Sequence, residues 1–235
     1  MPGILSQRDH MILESMFDTK ADARQQHTQS QPASSPSIPA DTFARLRERE
    51  HSILNALNVA DPSPDTIKDA ICSLSQMING HSTYSSAYVN RAQVRRLLVP
   101  TNLLYTKERA EETGLVMADL DMAIQIASPT SKSQRAFLYE QSVLATAHTH
   151  RAFLMMRAAD LVRSGVALNG VSDDLGSKGA EAIDEMVFRD FELGGASGNE
   201  EAAKMAVRTN PYAKLCGAVV SEAMKKEMEE YRRLL

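Results

Sequence analysis

Hydrophobic residues recur at helical spacing along most of the chain from Asp41 onward. Apolar side chains follow one another at intervals of three and four, which places them on one face of an α-helix. No stretch alternates convincingly in the way a strand does. Asp41 and Asp65 are the polar residues expected to cap the first two helices. The pattern predicts an all-α fold, with helices over 41–57, 65–80, 85–98, 115–127, 134–163, 180–193, 199–208 and 212–234.

The beginning of the chain has a different pattern. Apolar residues in 1–18 recur at helical spacing, so this segment is predicted to be a short amphipathic helix. Residues 19–40 are rich in Gln, Ser and Pro, and they cannot bury enough apolar surface to offset the entropy of ordering. We therefore expect 19–40 to be a disordered linker and 41–235 to be the folded domain. Its last segment, 209–235, is expected to cap the exposed apolar end of the array.

Two segments interrupt the helical pattern, 98–114 and 164–179. The second contains four glycines and the pair Asp173-Asp174, a composition typical of surface loops. We expect 164–179 to be a mobile surface loop.

An internal repeat is visible in the helices on either side of these interruptions. The run Ala-Tyr-Val-Asn-Arg-Ala at 87–92 is repeated in outline as Ala-His-Thr-His-Arg-Ala at 147–152. Each run is followed by a second helix in which Asp and a large apolar residue precede a small one, at 119–123 and at 190–194. Small residues at fixed places let two antiparallel helices approach closely.

In these positions the chain resembles the tetratricopeptide repeat. Ala92 and Ala152 match the small residue of the first helix, and the two runs begin further apart than the family's period of 34 residues because the interruptions are inserted. Residues 11–17, 86–93 and 209–216 look like the tetratricopeptide repeat protein 36 family. That resemblance implies a small, non-enzymatic protein of about three repeats, linked to chaperone binding and to tyrosine catabolism.

Composition narrows the functional classes further. A net charge of −4 is unfavourable for general binding to nucleic acid or to an anionic membrane. The chain has neither an apolar leader nor a long uncharged apolar run, and its two cysteines do not suggest a disulfide framework. We therefore expect a cytoplasmic protein, with a nuclear location also compatible.

The repeat register places polar residues of both first helices on a concave groove. Cationic and amide side chains beside an aromatic ring suit a peptide, since arginine offers a planar fork to a carboxylate. The alternative is an ordinary solvated helix face. The predicted partner-binding residues are Asn90, Gln93, Arg96, His150, Phe153 and Arg157.

The clamp that some tetratricopeptide relatives use for a chaperone's C-terminus matches this chain only at Asn90. Other chaperone contacts, or a metabolic enzyme as the partner, stay open. Because Arg91 and Arg151 precede the small alanine in both runs, they are expected to form salt bridges within the array.

Residues suited to catalysis or metal binding do not occur in a recognisable pattern. His148 and His150 are two apart, so they diverge on a helix and make a poor metal pair. Asp119 and Asp121 diverge likewise and are expected to be solvated. We expect no catalytic residues, no cofactor and no metal, and we favour a protein-binding adaptor. The alternative is an enzyme whose unrecognised site lies beneath the inserted loops, where titratable groups would have to converge.

Overall fold

The protein is described by a computed structural model for residues 38–129, 138–211, 222–228 and 232. Every regular element within those ranges is helical, which confirms the predicted all-α class. The main helices are α1 (Ala40–Asn55), α2 (Pro64–Gly80), α3 (Ser85–Leu97), α4 (Ala110–Ala127), α5 (Leu138–Arg163), α6 (Asp173–Gly176), α7 (Ala180–Ala196) and α8 (Glu200–Thr209). Two short 3₁₀ turns, Thr101–Leu103 and Lys107–Arg109, lie between α3 and α4.

Several predictions at the chain ends lie outside the described residues. They are the helix in 1–18, most of the 19–40 linker and most of the capping helix in 212–234. Of the predicted linker, only 38–40 lie in the described residues, where Ile38 is buried and α1 begins at Ala40. Among the described helices, none is long and apolar enough to cross a membrane.

The predicted N-caps of α1 and α2 were each wrong by two positions. Asp41 lies inside the first turn of α1, which follows Pro39 without a capping side chain. In α2 the hydroxyl of Ser63 accepts a hydrogen bond from the Thr66 amide at 3.1 Å. Pro64 takes the first helical position, which suits its fixed φ, and this moves the cap from Asp65 back to Ser63.

The helices pack mainly as neighbours along the chain, with two close pairs at the centre. Helix α3 packs against α4, and α5 packs against α7, while α3 and α5 also touch each other. Small residues line both pairs: Ala92, Ala123 and Ala152 are fully buried. At Gly194 an added Cβ would lie 2.7 Å from the Thr149 hydroxyl oxygen, so α5 and α7 approach too closely there for a side chain.

The two interruptions of the helical pattern pack against each other. The backbone carbonyl of Tyr105 accepts hydrogen bonds from the Asn169 amide at 3.1 Å and from its Nδ2 at 3.0 Å. An added Cβ at Gly170 would lie 2.0 Å from the carbonyl oxygen of Ala110. Most of 164–179 is exposed, as expected of a surface loop, but the segment packs on the other insertion at Asn169 and Gly170 and includes the short α6 with its buried Leu175.

Helix α4 begins at Ala110, earlier than the predicted 115. Gly114, the last residue of the predicted interruption 98–114, lies within the helix. The reason is tertiary, since an added Cβ at Gly114 would lie 3.3 Å from the Gly170 carbonyl oxygen. A small residue is needed there for the second insertion to approach.

Candidate functional site

The six predicted partner-binding residues lie on α3 and α5, whose first turns are adjacent. The amide of Ser86 donates a hydrogen bond to the Tyr139 hydroxyl at 3.1 Å. Tyr139 stacks on Tyr84 at 6.0 Å between ring centres and meets the edge of Phe43 at 4.8 Å. This aromatic cluster joins α1, α3 and α5 at the end where α3 and α5 begin.

The side chain of Asn90 is hydrogen-bonded to a buried carboxyl group of α1. Its Nδ2 donates to Glu50 Oε1 at 2.7 Å, and the Tyr84 hydroxyl donates to Glu50 Oε2 at 2.7 Å. Burial raises the pKa of the Glu50 carboxyl, although these two hydrogen bonds oppose the rise. Asn90 therefore ties α3 to α1.

Glu50 was missed by the sequence reasoning, although a signal was present. It lies seven residues after Phe43 and four after Leu46, on the apolar stripe of α1, and all three are buried. A charged residue on such a stripe predicts a buried polar contact.

His150 and Phe153 face the protein interior. The ring of Phe153 meets the edge of Phe191 in α7, with centres 5.0 Å apart. His150 is 3% exposed, and its Nδ1 has no hydrogen-bond partner. Burial and, to a smaller extent, the positive charge of Arg96 together lower the pKa of His150 to about 3, so the ring is neutral near pH 7. Binding through these two residues stays a prediction.

Gln93, Arg96 and Arg157 are half-buried. Arg96 donates from Nη1 to the Val99 carbonyl and from Nη2 to the Thr101 hydroxyl at 3.3 Å. The Nε of Arg157 is buried and has no hydrogen-bond partner. Within the described part of the chain, neither arginine forms an ion pair with a carboxylate.

The arginines that precede the small alanines are arranged differently, and the predicted salt bridges are confirmed. Arg91 contacts Asp119 through Nε at 2.9 Å and Nη2 at 2.5 Å. Arg151 contacts Asp190 through Nε and Nη2, both at 2.7 Å. These are two-point ion pairs, and each joins the first helix of a pair to the second.

The expectation that Asp119 is solvated was wrong. Asp119 is 5% exposed, and besides Arg91 it has Arg95 Nε 3.2 Å from its Oδ2. Asp121 is largely exposed, as expected, although it accepts a hydrogen bond from Arg151 at 2.6 Å. The two aspartates diverge on α4, and only Asp119 faces α3.

His148 joins the second ion pair and is not poised to bind metal. Its Nδ1 lies 2.8 Å from Asp190 Oδ1, inside the structure. Burial acts to raise the pKa of Asp190, but the hydrogen bonds from Arg151 and His148 outweigh it, so the pKa is lowered. Among the described residues, no group of three or more His, Cys, Asp or Glu side chains could hold a metal ion.

Comparison with known proteins gives one informative relationship. No protein-family model matches the chain, and no solved structure matches it. The chain is 37% identical over 241 residues to the L-tyrosine degradation gene cluster protein hmgX of Aspergillus fumigatus, a match that covers 96% of this chain and 94% of that protein. Identity at this level over nearly the whole of both chains shows common descent, and the chain belongs to the family of the tyrosine-degradation cluster protein hmgX.

Proposed function

We propose that the protein is a non-enzymatic adaptor of the tetratricopeptide-repeat type, which supports tyrosine degradation by holding a protein partner against α3 and α5. The partner is a metabolic enzyme of that process or a chaperone that attends it. The adaptor acts in the cytoplasm, and it needs no cofactor.

The repeat arrangement is supported by one observation above all, the recurrence of the same ion pair in both central helix pairs. Arg91–Asp119 and Arg151–Asp190 occupy matching places, each before a small alanine in the first helix and before a large apolar residue in the second. Contact between α3 and α5, the first helices of the two pairs, is what a stacked array requires.

The link to tyrosine degradation rests on the hmgX relative, whose name places it in an L-tyrosine degradation gene cluster. An adaptor role fits the chemistry of the central helices better than catalysis does. Among the buried carboxyl groups of the described helices, Asp119, Asp190 and Glu50 are each held by arginine, asparagine or tyrosine donors, while Glu140 on α5 has one oxygen without a hydrogen-bond partner. Groups held in this way bind helices together, and they are not free to attack a substrate.

Affinity capture in the source organism tests the proposal. A tagged chain is cross-linked in cells grown with tyrosine as the carbon source, and the captured proteins are identified by mass spectrometry. We expect enrichment of an enzyme of tyrosine breakdown, with the enrichment lost in a variant that carries Gln93→Ala and Arg96→Gln. Phe153 is left unchanged because removing a buried ring would destabilise the fold.

Two results would contradict the adaptor. One is a captured set identical to that of an unrelated tagged protein under the same conditions. The other is turnover of an intermediate of tyrosine breakdown by the purified chain alone, which would support the enzyme beneath the insertions instead.

A further inference from the structure

Helix α1 is attached to the rest of the fold through one narrow face. Of its 16 residues, three are buried, Phe43, Leu46 and Glu50, and its N-terminus has no capping side chain. Ile53 and Leu54 are only partly buried. The three buried residues are spaced i, i+3 and i+7, which is how an amphipathic helix anchors itself in the groove of a binding partner. Helix α1 therefore packs as a bound helix would.

The surface that α1 covers lies where α3 and α5 begin. The ring of Phe43 meets Tyr139 and Tyr84 edge to face, with ring centres 4.8 Å and 5.9 Å apart. The Tyr84 hydroxyl and Asn90 Nδ2 each donate to the carboxyl group of Glu50 at 2.7 Å. An aromatic ring and a carboxyl group two turns apart on α1 are thus matched by two rings and two donors.

This surface is held together without help from α1. Tyr84 and Tyr139 stack on each other, and the Tyr139 hydroxyl accepts a hydrogen bond from the Ser86 amide at 3.1 Å. The amide of Asn90 also donates to the Ser86 hydroxyl at 3.3 Å. Because these contacts lie within and between the starts of α3 and α5, the surface is preorganised for a helix that binds to it.

Helix α1 is suited to leave this surface. Burying the carboxyl group of Glu50, which is 8% exposed, costs free energy, and both of its close hydrogen bonds come from neutral donors. Residues 58–61, which follow α1, are all exposed. An element with few buried side chains and an exposed connection opens before the rest of a fold does.

We propose that the surface formed by Tyr84, Asn90 and Tyr139 binds a partner helix that carries an aromatic residue and a glutamate two turns apart. In the free protein α1 occupies this surface, and Phe43 and Glu50 take the places of the partner's two residues. Because α1 is tethered, its effective concentration is on the order of 1 mM, so it is an autoinhibitory helix that the partner displaces. The inference rests on the proposed function, since it specifies the chemistry of the partner held on α3 and α5.

Hydrogen exchange of the full-length wild-type protein tests whether α1 opens on its own. We expect the amides of α1 to exchange at least tenfold faster than those in the middle of α5, because few buried side chains hold α1 in place. Equal exchange in the two helices would mean that α1 opens only when the whole fold does, and the inference would be overturned.

Fluorescence anisotropy tests whether the surface accepts a helix from outside. The probe is a fluorescein-labelled peptide of residues 40–57 with both ends blocked. A full-length variant with Phe43→Ala and Glu50→Ala, whose own α1 is weakened, should bind the probe at least tenfold more tightly than wild type. The matched control, Arg45→Ala with Glu48→Ala, changes two exposed residues of α1 and should bind it as wild type does.

Altered probes test the chemistry of recognition. A probe with Phe43→Ala and a probe with Glu50→Gln should each bind the double variant at least tenfold more weakly. Adding Asn90→Ala to that variant should weaken binding of the unaltered probe in the same way. Circular dichroism checks the fold, and a double variant with a reduced helical signal is replaced by Glu50→Gln alone, for which the same order of affinities is expected.

Competition connects the surface to the partner. The unlabelled peptide of residues 40–57 should release a captured enzyme of tyrosine breakdown at least tenfold more effectively than the same peptide with Phe43→Ala. A peptide that binds but releases no captured enzyme would overturn the inference. So would wild-type dimers that the peptide dissociates, because they would assign the surface to α1 of a second copy.

Two further results would overturn the inference. They are binding of the probe to the control variant as tightly as to the double variant, and equal binding of the altered and unaltered probes. If the probe binds no variant while capture of an enzyme of tyrosine breakdown persists, this inference fails and the adaptor function stands.

Discussion

Two sets of arginines on the same two helices differ in what surrounds them. Arg91 on α3 and Arg151 on α5 each form an ion pair with a buried aspartate from the second helix of their pair. Arg96 on α3 and Arg157 on α5 are similarly half-buried but have no carboxylate within the described chain. All four come from the helices that carry the internal repeat. Similar burial with opposite pairing indicates different roles.

The difference separates arginines whose charge is compensated by a buried aspartate from arginines that have no carboxylate partner among the described residues. A guanidinium with a buried carboxylate is already compensated, so a ligand gains little from approaching it. An uncompensated guanidinium contributes little to the free protein and much to a complex, because the ligand's carboxylate supplies the missing charge. Stability and binding should therefore separate when the two sets are mutated.

The largest effect is expected at the buried carboxylate of the second ion pair. Asp190→Asn leaves the half-buried Arg151 without its main counter-charge and weakens the contact with His148. We expect a loss of about 3–5 kcal/mol in the free energy of unfolding, measured by urea denaturation. Asp121→Asn is the control, because it removes the exposed partner of the same arginine and should cost about 1 kcal/mol or less. Equal losses for the two variants would contradict the structural role of the buried pair.

A somewhat smaller loss is expected in the first pair. Asp119→Asn removes the carboxylate shared by Arg91 and Arg95, but Arg91 keeps its hydrogen bond to Ser75 at 3.0 Å and its contact with the Tyr88 ring. We expect a loss of about 2–3 kcal/mol by the same measurement. A change within experimental error would mean that the pair does not join α3 to α4.

The buried imidazole of His150 should make the fold sensitive to mild acid. The pKa of His150 is lowered from 6.5 to about 3, so the unfolded chain takes up a proton before the folded protein does. The free energy of unfolding is unaffected by the protonation of His150 above pH 6.5. As the pH falls from 6.5 towards 3, it decreases by about 1.4 kcal/mol per pH unit, because the unfolded chain binds a proton that the folded protein does not.

Urea denaturation between pH 7 and pH 5 measures this effect. His150→Leu should lose less stability over the interval than wild type, by about 2 kcal/mol. His51→Gln, at an exposed position of α1, should follow the wild-type profile. Asp190, with its lowered pKa, affects stability only at lower pH, since its reference value is 3.8. An unchanged profile for His150→Leu would place the acid sensitivity elsewhere.

The smallest change in stability is expected at the unpaired arginine itself. Arg157→Met removes a half-buried charge that has no carboxylate partner among the described residues, so the free energy of unfolding should change by about 1 kcal/mol or less, and in the stabilising direction. The control variant Arg189→Met measures how the free energy of unfolding changes when an exposed arginine of α7 is lost. A large destabilisation by Arg157→Met would remove the contrast between the two sets.

The repeat made part of this arrangement predictable. Because an arginine precedes the small alanine in both runs, the salt bridges of Arg91 and Arg151 could be expected from the sequence. The aspartates that pair with these arginines could not be predicted from the sequence. Asp119 and Asp121 are two positions apart on one helix and look equivalent, and only the packing of the helices places Asp119 against α3. The six predicted partner-binding residues lie on two helices that contact each other, but His150 and Phe153 are interior. Their side-chain direction depends on how α5 meets α7.

The two insertions also show the difference between a local sequence preference and an effect of tertiary packing. Their glycines predicted a loop, and the positive φ of Gly165 and Gly170 agrees with that local preference. Gly114 carried the same local signal but lies inside α4, because its lack of a side chain serves the approach of Gly170. A glycine's role was therefore decided by a neighbour that is distant in sequence.

By itself the sequence determined that the chain is helical, where most helices lie and that two helix pairs repeat. These features depend on spacing within one segment, where apolar periodicity and small residues act directly. The tertiary structure alone decided which charges are compensated. The aspartates that pair with Arg91 and Arg151 lie 28 and 39 positions away, on other helices. Charge pairing depends on distance in space, and only the packed helices bring some arginines within reach of a carboxylate and leave Arg96 and Arg157 without one.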